Sequence, residues 1–319
     1  MKVLFMGTPD IALESLKALY EAGHEICAVI TVPDKPKGRG MKMIFSPVKE
    51  FAIEKNIKVL QPEKLANNEE LKEEIRALSP DIMCIVAYGK YIPKSYLKMC
   101  KYEPVNVHPS LLPKYRGSAP IQWAVLNGDK ETGVSTMYIS EKMDAGDIIL
   151  QEKVEIGEYE TTGELWDRVS VLGGKLLTKT LSMLENGTST RTPQGEEYTE
   201  ASMIQKEMAK IDWENFSKEK IKNLVRGLNP FLGAYSLLNN KKIKFWQVRI
   251  VESLDDVSVE NVQNAKPGEV LLANDKKGLY VKAKDGIISV LELQGENARK
   301  MGVCDFLRGN KIEAGNKFE

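Results

Sequence analysis

The first 185 residues alternate between short apolar runs and longer amphipathic stretches. Residues 2–6 read as a buried strand, and the turn Gly7-Thr8-Pro9-Asp10 leads into an amphipathic helix over 11–22 that Gly23 closes. Thr8 is expected to cap that helix, with Pro9 at its first helical position. Apolar runs at 26–32 and 58–60, separated by a helical stretch that ends near Lys55, extend the pattern to βαβαβ. A helix at 69–78, a strand at 81–87, a helix at 94–99 and a strand ending at His108 continue it. Beyond these come a helix at 121–127, strands at 133–139 and 148–155, and a long helix over 165–184. Strands that are apolar on both faces predict an α/β fold, Rossmann-like, with a mostly parallel sheet covered by helices. Ligands of such sheets bind at the carboxyl ends of the strands, so Tyr88-Gly89 and the stretch from Asn106 to His108 fall where a site is expected.

The pattern changes after residue 185. Asn186-Gly-Thr-Ser-Thr-Arg-Thr-Pro-Gln-Gly-Glu-Glu has turn formers and almost no apolar content, which predicts a domain boundary. The expected division is a first domain over 1–188, a linker over 189–208 and a second domain over 209–319. The second opens with a helix at 218–227. Short strands follow, broken by turn signals at Asn239-Asn240, at 274–278 and at Asp285-Gly286, and they predict a small β-barrel of OB-like type.

Composition supports two folded cores: the chain has 319 residues, 42% apolar and 28% charged. Lys plus Arg and Asp plus Glu both total 45, so an anionic partner has to be sought in local asymmetry. Two places show it. From Lys35 to Lys49 there is no acid, while Lys35, Lys37, Arg39, Lys42 and Lys49 are cationic and Gly38 and Gly40 loosen the middle; a solvated loop and a phosphate-binding loop both fit. Between Asn215 and Ile250 the sole acid is Glu219, against Lys218, Lys220, Lys222, Arg226, Lys241, Lys242, Lys244 and Arg249.

Cys27, Cys84, Cys100 and Cys304 show no paired spacing and read as free thiols of a reducing compartment. With two histidines, His24 and His108, and no ligand-like cluster, no metal site is expected. The first apolar run is too short for a signal peptide and no run approaches membrane-spanning length, so a cytoplasmic protein without a membrane partner, and a monomer, is expected.

Residues 105–120 carry the most chemistry. Period-two alternation puts Asn106 and His108 on one side at a strand's end, an amide donor beside a titratable ring, which suits stabilisation of an oxyanion. A lone strand-end histidine also serves simply to bond backbone. Pro109, Pro113 and Pro120 restrict the loop that follows. Downstream, Asp144-Ala-Gly-Asp147 can return a carboxylate to His108, through either aspartate, or be turn chemistry alone.

Together, Asn106-Val-His108-Pro-Ser-Leu-Leu-Pro113, Tyr115-Arg-Gly117 and Asp144-Ala-Gly-Asp147 resemble the active-site motifs of the 10-formyltetrahydrofolate-dependent formyltransferases. The resemblance extends to Phe5-Met-Gly-Thr-Pro-Asp10, Pro33-Asp34, Ser46-Pro-Val-Lys49, Val86-Ala-Tyr-Gly89 and Lys210-Ile-Asp-Trp213, and so covers nearly the whole chain. It implies transfer of a formyl group from N10 of 10-formyltetrahydrofolate, a co-substrate and not a tightly bound cofactor, to the amino group of methionine esterified to initiator tRNA. By the same resemblance Asn106, His108 and Asp144 are the catalytic trio, and Ser110, Leu111, Leu112 and Pro113 contact the folate. Tyr88 and Gly89 then lie at the pterin pocket, while Lys35, Lys37, Arg39 and Lys42 meet the tRNA. Pro109 departs from the small residue of many close members, and related folate formyltransferases carry proline there.

Three rivals remain at this stage. A formyltransferase or formylfolate hydrolase acting on small molecules needs the same core without the basic segments. A dinucleotide-dependent oxidoreductase shares the βαβ opening, but Gly7-Thr-Pro-Asp10 lacks the three-glycine fingerprint. A non-catalytic RNA-binding protein has no need of Asn106, His108 and Asp144 together.

Overall fold

The computed structural model describes residues 1–37, 42–254 and 259–319. Its contacts group into two compact units, one of Met1–Pro120, Glu131–Glu155 and Trp166–Ser202, the other of Ile121–Lys130, Ile156–Leu165 and Met203–Glu319. No described helix is long and apolar enough to cross a membrane.

In chain order, the first stretch runs β1 (Lys2–Gly7), α1 (Asp10–Glu21), β2 (Glu25–Ile30), β3 (Lys35–Lys37), β4 (Lys42–Ile44), α2 (Pro47–Glu54), β5 (Val59–Leu60) and α3 (Glu69–Leu78). Next come β6 (Ile82–Val86), α4 (Lys94–Leu97), β7 (Val105–His108), β8 (Arg116–Gly117) and α5 (Pro120–Asn127). Then follow β9 (Glu131–Tyr138), β10 (Ile148–Glu155), α6 (Thr162–Glu185) and β11 (Glu200–Ala201).

Seven strands of the first unit make one sheet in the order β10-β9-β7-β6-β1-β2-β5. The five from β7 to β5 are mutually parallel, while β9 and β10 are antiparallel additions. The expected mostly parallel sheet is therefore present. Its inner strands are buried on both faces, β6 at every residue, which is why they read as unbroken apolar runs. One face packs Leu4, Met6, Ile30, Met83 and Ile85 against Leu71 and Ile75 of α3. From β1 the chain winds outward to β2 and β5, then returns to the other side for β6 and β7. The winding thus reverses between β1 and β6, the place in the topology at which such sheets take ligands.

Two local expectations are corrected. Thr8 does not cap α1: Pro9 is the N-cap, with no side-chain bond, and Thr8 Oγ1 accepts from Val32 N instead, tying the ends of β1 and β2. The stretch expected as a linker is ordered structure over much of its length. Thr192 exchanges two backbone bonds with Ile148, Gln194 bonds four partners, and β11 pairs in parallel with β8. Polar residues make these contacts through hydrogen bonds, so the segment lacks an apolar signature.

The second unit continues with α7 (Lys218–Gly227), β12 (Ala234–Leu238), β13 (Lys241–Val251), α8 (Val259–Asn264), β14 (Val270–Asn274), β15 (Gly278–Ala283), β16 (Gly286–Gln294), β17 (Met301–Gly302) and α9 (Val303–Gly309). Its sheet runs β12-β13-β16-β15-β14, with β17 beside β16, and all these pairs are antiparallel. The expected OB-like barrel is not confirmed by the pairings, which close no barrel: among the described residues β12 and β14 do not pair with each other. The chain's last residues bond to both. Glu319 exchanges two backbone bonds with Leu237, Asn316 O accepts from Val270 N, and Phe318 N donates to Gly268 O. Phe318 also completes an aromatic cluster with Trp213 and Phe245, ring centroids 5.3–6.0 Å apart. The Lys210-Ile-Asp-Trp213 motif is thus a core anchor, with Ile211 and Trp213 buried.

Not every cation of the basic segment faces solvent. Ser217 caps α7, whose Lys222 and Arg226 are buried. Lys222 pairs with Glu219 at 2.7 Å, and Arg226 donates to the Gly157 and Glu160 carbonyls. Lys241, Lys242 and Arg249 are exposed.

Candidate active site

The site grows from the end of β7. Asn106 pairs with Ile85 on one side and Met137 on the other, fixing the strand, and His108 two residues on faces the same way. His108 is 4% exposed. Its Nε2 lies 2.8 Å from the Tyr115 carbonyl oxygen, which can only accept, so Nε2 carries the proton. The other ring nitrogen, Nδ1, faces Asp144 Oδ2 at 3.7 Å. Asp144 is the aspartate that returns to His108. Asp147 instead bonds Arg191 at 3.4 Å, and the Arg191 guanidinium lies 3.8 Å over the Tyr138 ring.

Asp144 is held from two sides in a left-handed conformation, φ 50°, that aspartate tolerates better than most residues. Oδ2 accepts from Gly117 N at 2.9 Å, and its own carbonyl accepts from Gln194 Nε2 at 2.9 Å. Thus β8 uses its two edges differently. One edge pairs with β11, through Arg116 N to Thr199 O and Ser118 N to Ala201 O. The other gives the Tyr115 carbonyl to His108 and the Gly117 amide to Asp144. Gly117 is required there: φ is +124°, and a Cβ would lie 2.6 Å from the Ala201 carbonyl oxygen.

Asn106 is half-buried, and its amide makes no hydrogen bond among the described residues. Tyr88, between Ala87 at φ 46° and Gly89 at φ 81°, is 2% exposed with a hydroxyl that likewise meets no partner. Burial, with Tyr96 nearby, pushes its phenol up to about 12, so it stays a neutral donor near pH 7.

Of the four loop residues that the motif resemblance gave to folate, two are spent internally. Ser110 is fully buried and its hydroxyl donates to the Lys114 carbonyl at 2.6 Å. Leu112 packs against Met137 and Ile148, with its amide on Ser135 Oγ and its carbonyl on Gln151 Nε2. Leu111 and Pro113 are half-buried. Ser135 and Gln151 thus frame the loop, and Gln194 frames Asp144. The sequence singled out none of these three, because lone polar residues leave no periodic signal.

The basic segment is a hairpin at its base, β3 against β4, with Lys37 paired to Lys42 in the backbone register. Arg39 lies outside the described residues. Lys35 is exposed, as are Met43, Ile44 and Phe45. Lys49 is not available to a partner: its Nζ pairs with Asp34 Oδ2, both side chains being 12–13% exposed, and donates to Gln61 Oε1 at 2.7 Å. Gln61 Nε2 in turn donates to Asp34 Oδ1 and to the Val32 carbonyl. Burial works against ionisation of Asp34, but the bonds from Lys49 and Gln61 outweigh it and hold the carboxyl below its ordinary value. The network closes the foot of the hairpin.

Comparison with known proteins agrees with both units. Residues 1–181 match the family model described as formyl transferase, and 203–311 match that of the formyl transferase C-terminal domain. A methionyl-tRNA formyltransferase of Ruminiclostridium cellulolyticum is 45% identical over 319 residues, 100% of this chain and 99% of the relative. One from Caldanaerobacter subterraneus subsp. tengcongensis is 43% identical over 316 residues, 99% of each. Among solved structures, an N-formyltransferase from Helicobacter canadensis in complex with folinic acid and dTDP-3-aminofucose aligns with TM-score 0.66 at 20% identity, covering 94% of this chain and 100% of that one. HypX from Aquifex aeolicus, in complex with tetrahydrofolic acid, aligns with TM-score 0.64 at 19% identity, covering 99% and 50%. At such identities these two likenesses are of fold alone, whereas the full-length relatives above 40% are decisive: the chain belongs to the methionyl-tRNA formyltransferase family.

Proposed function

We propose that the chain transfers the formyl group of 10-formyltetrahydrofolate to the α-amino group of methionine on initiator methionyl-tRNA. The observation that carries the reading is the His108–Asp144 pair, with His108 buried and both groups fixed by the neighbours of Arg116, beside an Asn106 amide that meets no partner among the described residues. Attack of a neutral amine on the formyl carbon creates a tetrahedral adduct with negative oxygen and a positive nitrogen that must lose a proton. A preset donor acts on charge that exists only near the transition state, so Asn106 is assigned to the oxygen. With Nε2 tied to Tyr115, the ring nitrogen of His108 open to the reaction is Nδ1, and Asp144 balances the charge as it takes up a proton. Collapse of the adduct breaks its bond to N10, and tetrahydrofolate leaves with N10 carrying the proton taken from the amine; no covalent enzyme intermediate is needed.

The donor is placed at the carboxyl ends of β6 and β7. An unpartnered buried hydroxyl costs roughly 1–3 kcal/mol, and a polar ligand beside Tyr88 relieves that cost. Leu111 and Pro113 are assigned to the apolar side of the same ligand. The acceptor's nucleic acid is assigned to Lys35, Lys37, Arg39 and Lys42 and to the exposed cations of the second unit, whose antiparallel sheet tracks the backbone through phosphates and shape.

The test is acceptor choice. Purified protein is mixed with the folate donor and, in parallel, methionyl initiator tRNA, free methionine and an amino-sugar nucleotide. Formylation of the charged tRNA alone is expected; preference for a free small amine, or donor hydrolysis without transfer, refutes the reading.

A further inference from the structure

Arg116 lies between the two backbone groups that hold the catalytic pair, and its own side chain is held as well. Nε donates to Gln194 Oε1 at 2.9 Å, and the guanidinium carbon sits 4.5 Å from the centre of the Tyr198 ring. Gln194 is itself pinned, because its amide nitrogen donates to the Asp144 and Gly146 carbonyls at 2.9 and 2.7 Å. One face and one edge of the guanidinium are therefore occupied. Among the described residues no acceptor meets Nη1 or Nη2, although Glu196, Glu197 and Glu200 follow Gln194 in sequence. The open edge is the one that matches two oxygens of a phosphate or a carboxylate. Ordering a free arginine costs rotamer entropy; here that cost is met before any ligand arrives.

We propose that Arg116 anchors a pair of anionic oxygens on a substrate bound at the His108–Asp144 site. Two sources share that chemistry: a phosphodiester near the aminoacyl end of the tRNA, and the carboxylate tail of the folate donor. The proposal rests on the function given above, so its test reads binding, which is independent of turnover. Equilibrium dissociation constants for methionyl-tRNA and for tetrahydrofolate are measured, each at several KCl concentrations, on the wild-type protein and on Arg116→Gln, Arg116→Lys and Tyr198→Leu. A charged bidentate contact is worth roughly 10- to 100-fold. Arg116→Gln is expected to weaken one of the two substrates by about that factor, Arg116→Lys to restore little because an ammonium cannot bond bidentately, and Tyr198→Leu to weaken the same substrate less.

Weaker tRNA binding with the salt slope reduced by about 1 identifies a phosphodiester. Weaker tetrahydrofolate binding that vanishes for an analogue without the glutamate tail identifies a carboxylate. Unchanged binding of both by Arg116→Gln overturns the proposal, as does equal weakening of both together with a lowered melting temperature, which marks a purely structural arginine. Absence of turnover in the wild-type protein alongside an intact Arg116 effect refutes the function without touching this inference.

Discussion

Substituting Gly117 by alanine tests whether β8 holds the His108–Asp144 pair. The added Cβ lies 2.6 Å from the Ala201 carbonyl oxygen, where ordinary contact begins at 3.4 Å, so the two strands must part by about 0.8 Å, the difference of those distances. The φ of +124° adds strain of about 1–3 kcal/mol. That is small beside the roughly 5–15 kcal/mol of a typical domain, and the variant is expected to remain folded. The displacement, however, falls on the strand whose amide holds Asp144 and whose neighbouring carbonyl holds His108. Misplacement of about 1 Å at reacting groups costs on the order of 10²-fold, so kcat with both substrates saturating is expected to fall about 10²-fold. Gly195→Ala, in the stretch that leads into β11, is the control. Its Cβ meets nothing within 4 Å and its φ lies outside the left-handed range, so turnover and melting temperature are expected to stay near wild type. If Gly117→Ala loses stability as expected yet keeps kcat within about twofold, against the scale set by misplacement, β8 does not set the geometry of the pair.

Three further outcomes concern the hairpin and its foot. Lys49→Met leaves the half-buried Asp34 carboxylate without its cation, and urea unfolding is expected to show a loss of about 1–3 kcal/mol; unchanged stability contradicts the pairing. Because Asp34 is held below its ordinary value, its contribution is complete above the ordinary carboxylate range and is lost as pH falls through the folded value. Asp34→Asn should therefore flatten the acid limb of the stability profile, and an unchanged limb counts against the pairing. Lys35→Ala and Arg39→Ala should each lower the slope of log affinity for tRNA against log salt by about 1, and a salt-independent affinity in the wild-type protein removes the hairpin from tRNA binding.

The parallel sheet was legible because its strands are buried on both faces and its helices carry a single apolar stripe: β6 and α3 announce themselves through Ile82 to Val86 and through Leu71 and Ile75. Asn106 and His108 were legible because strand alternation places them together at a strand end, and the choice between Asp144 and Asp147 needed the fold, since Arg191 claims one of them. What stayed hidden was everything built from lone hydrogen bonds. β8 and β11 have two residues each, too few for a period, and Gln194 sits among glycine, threonine and proline where composition reads as linker. Lys49 looked like one more cation because sequence does not show that Asp34, fifteen positions earlier, faces it. The second unit read as an OB-like barrel because short strands and turns do not reveal that the terminal residues Asn316 to Glu319 bond to both outer strands of its sheet.

The central claim is that the His108–Asp144 pair acts on the reacting centre and not on substrate capture. Single-turnover formylation of methionyl initiator tRNA, with enzyme in excess and both substrates saturating, measures this directly in Asp144→Asn, which can keep the bond from Gly117 while removing the charge. The rate constant is expected to fall about 10²–10⁴-fold with the affinities for tRNA and folate unchanged. A wild-type rate constant in that variant, or a loss recovered by raising either substrate, contradicts the account.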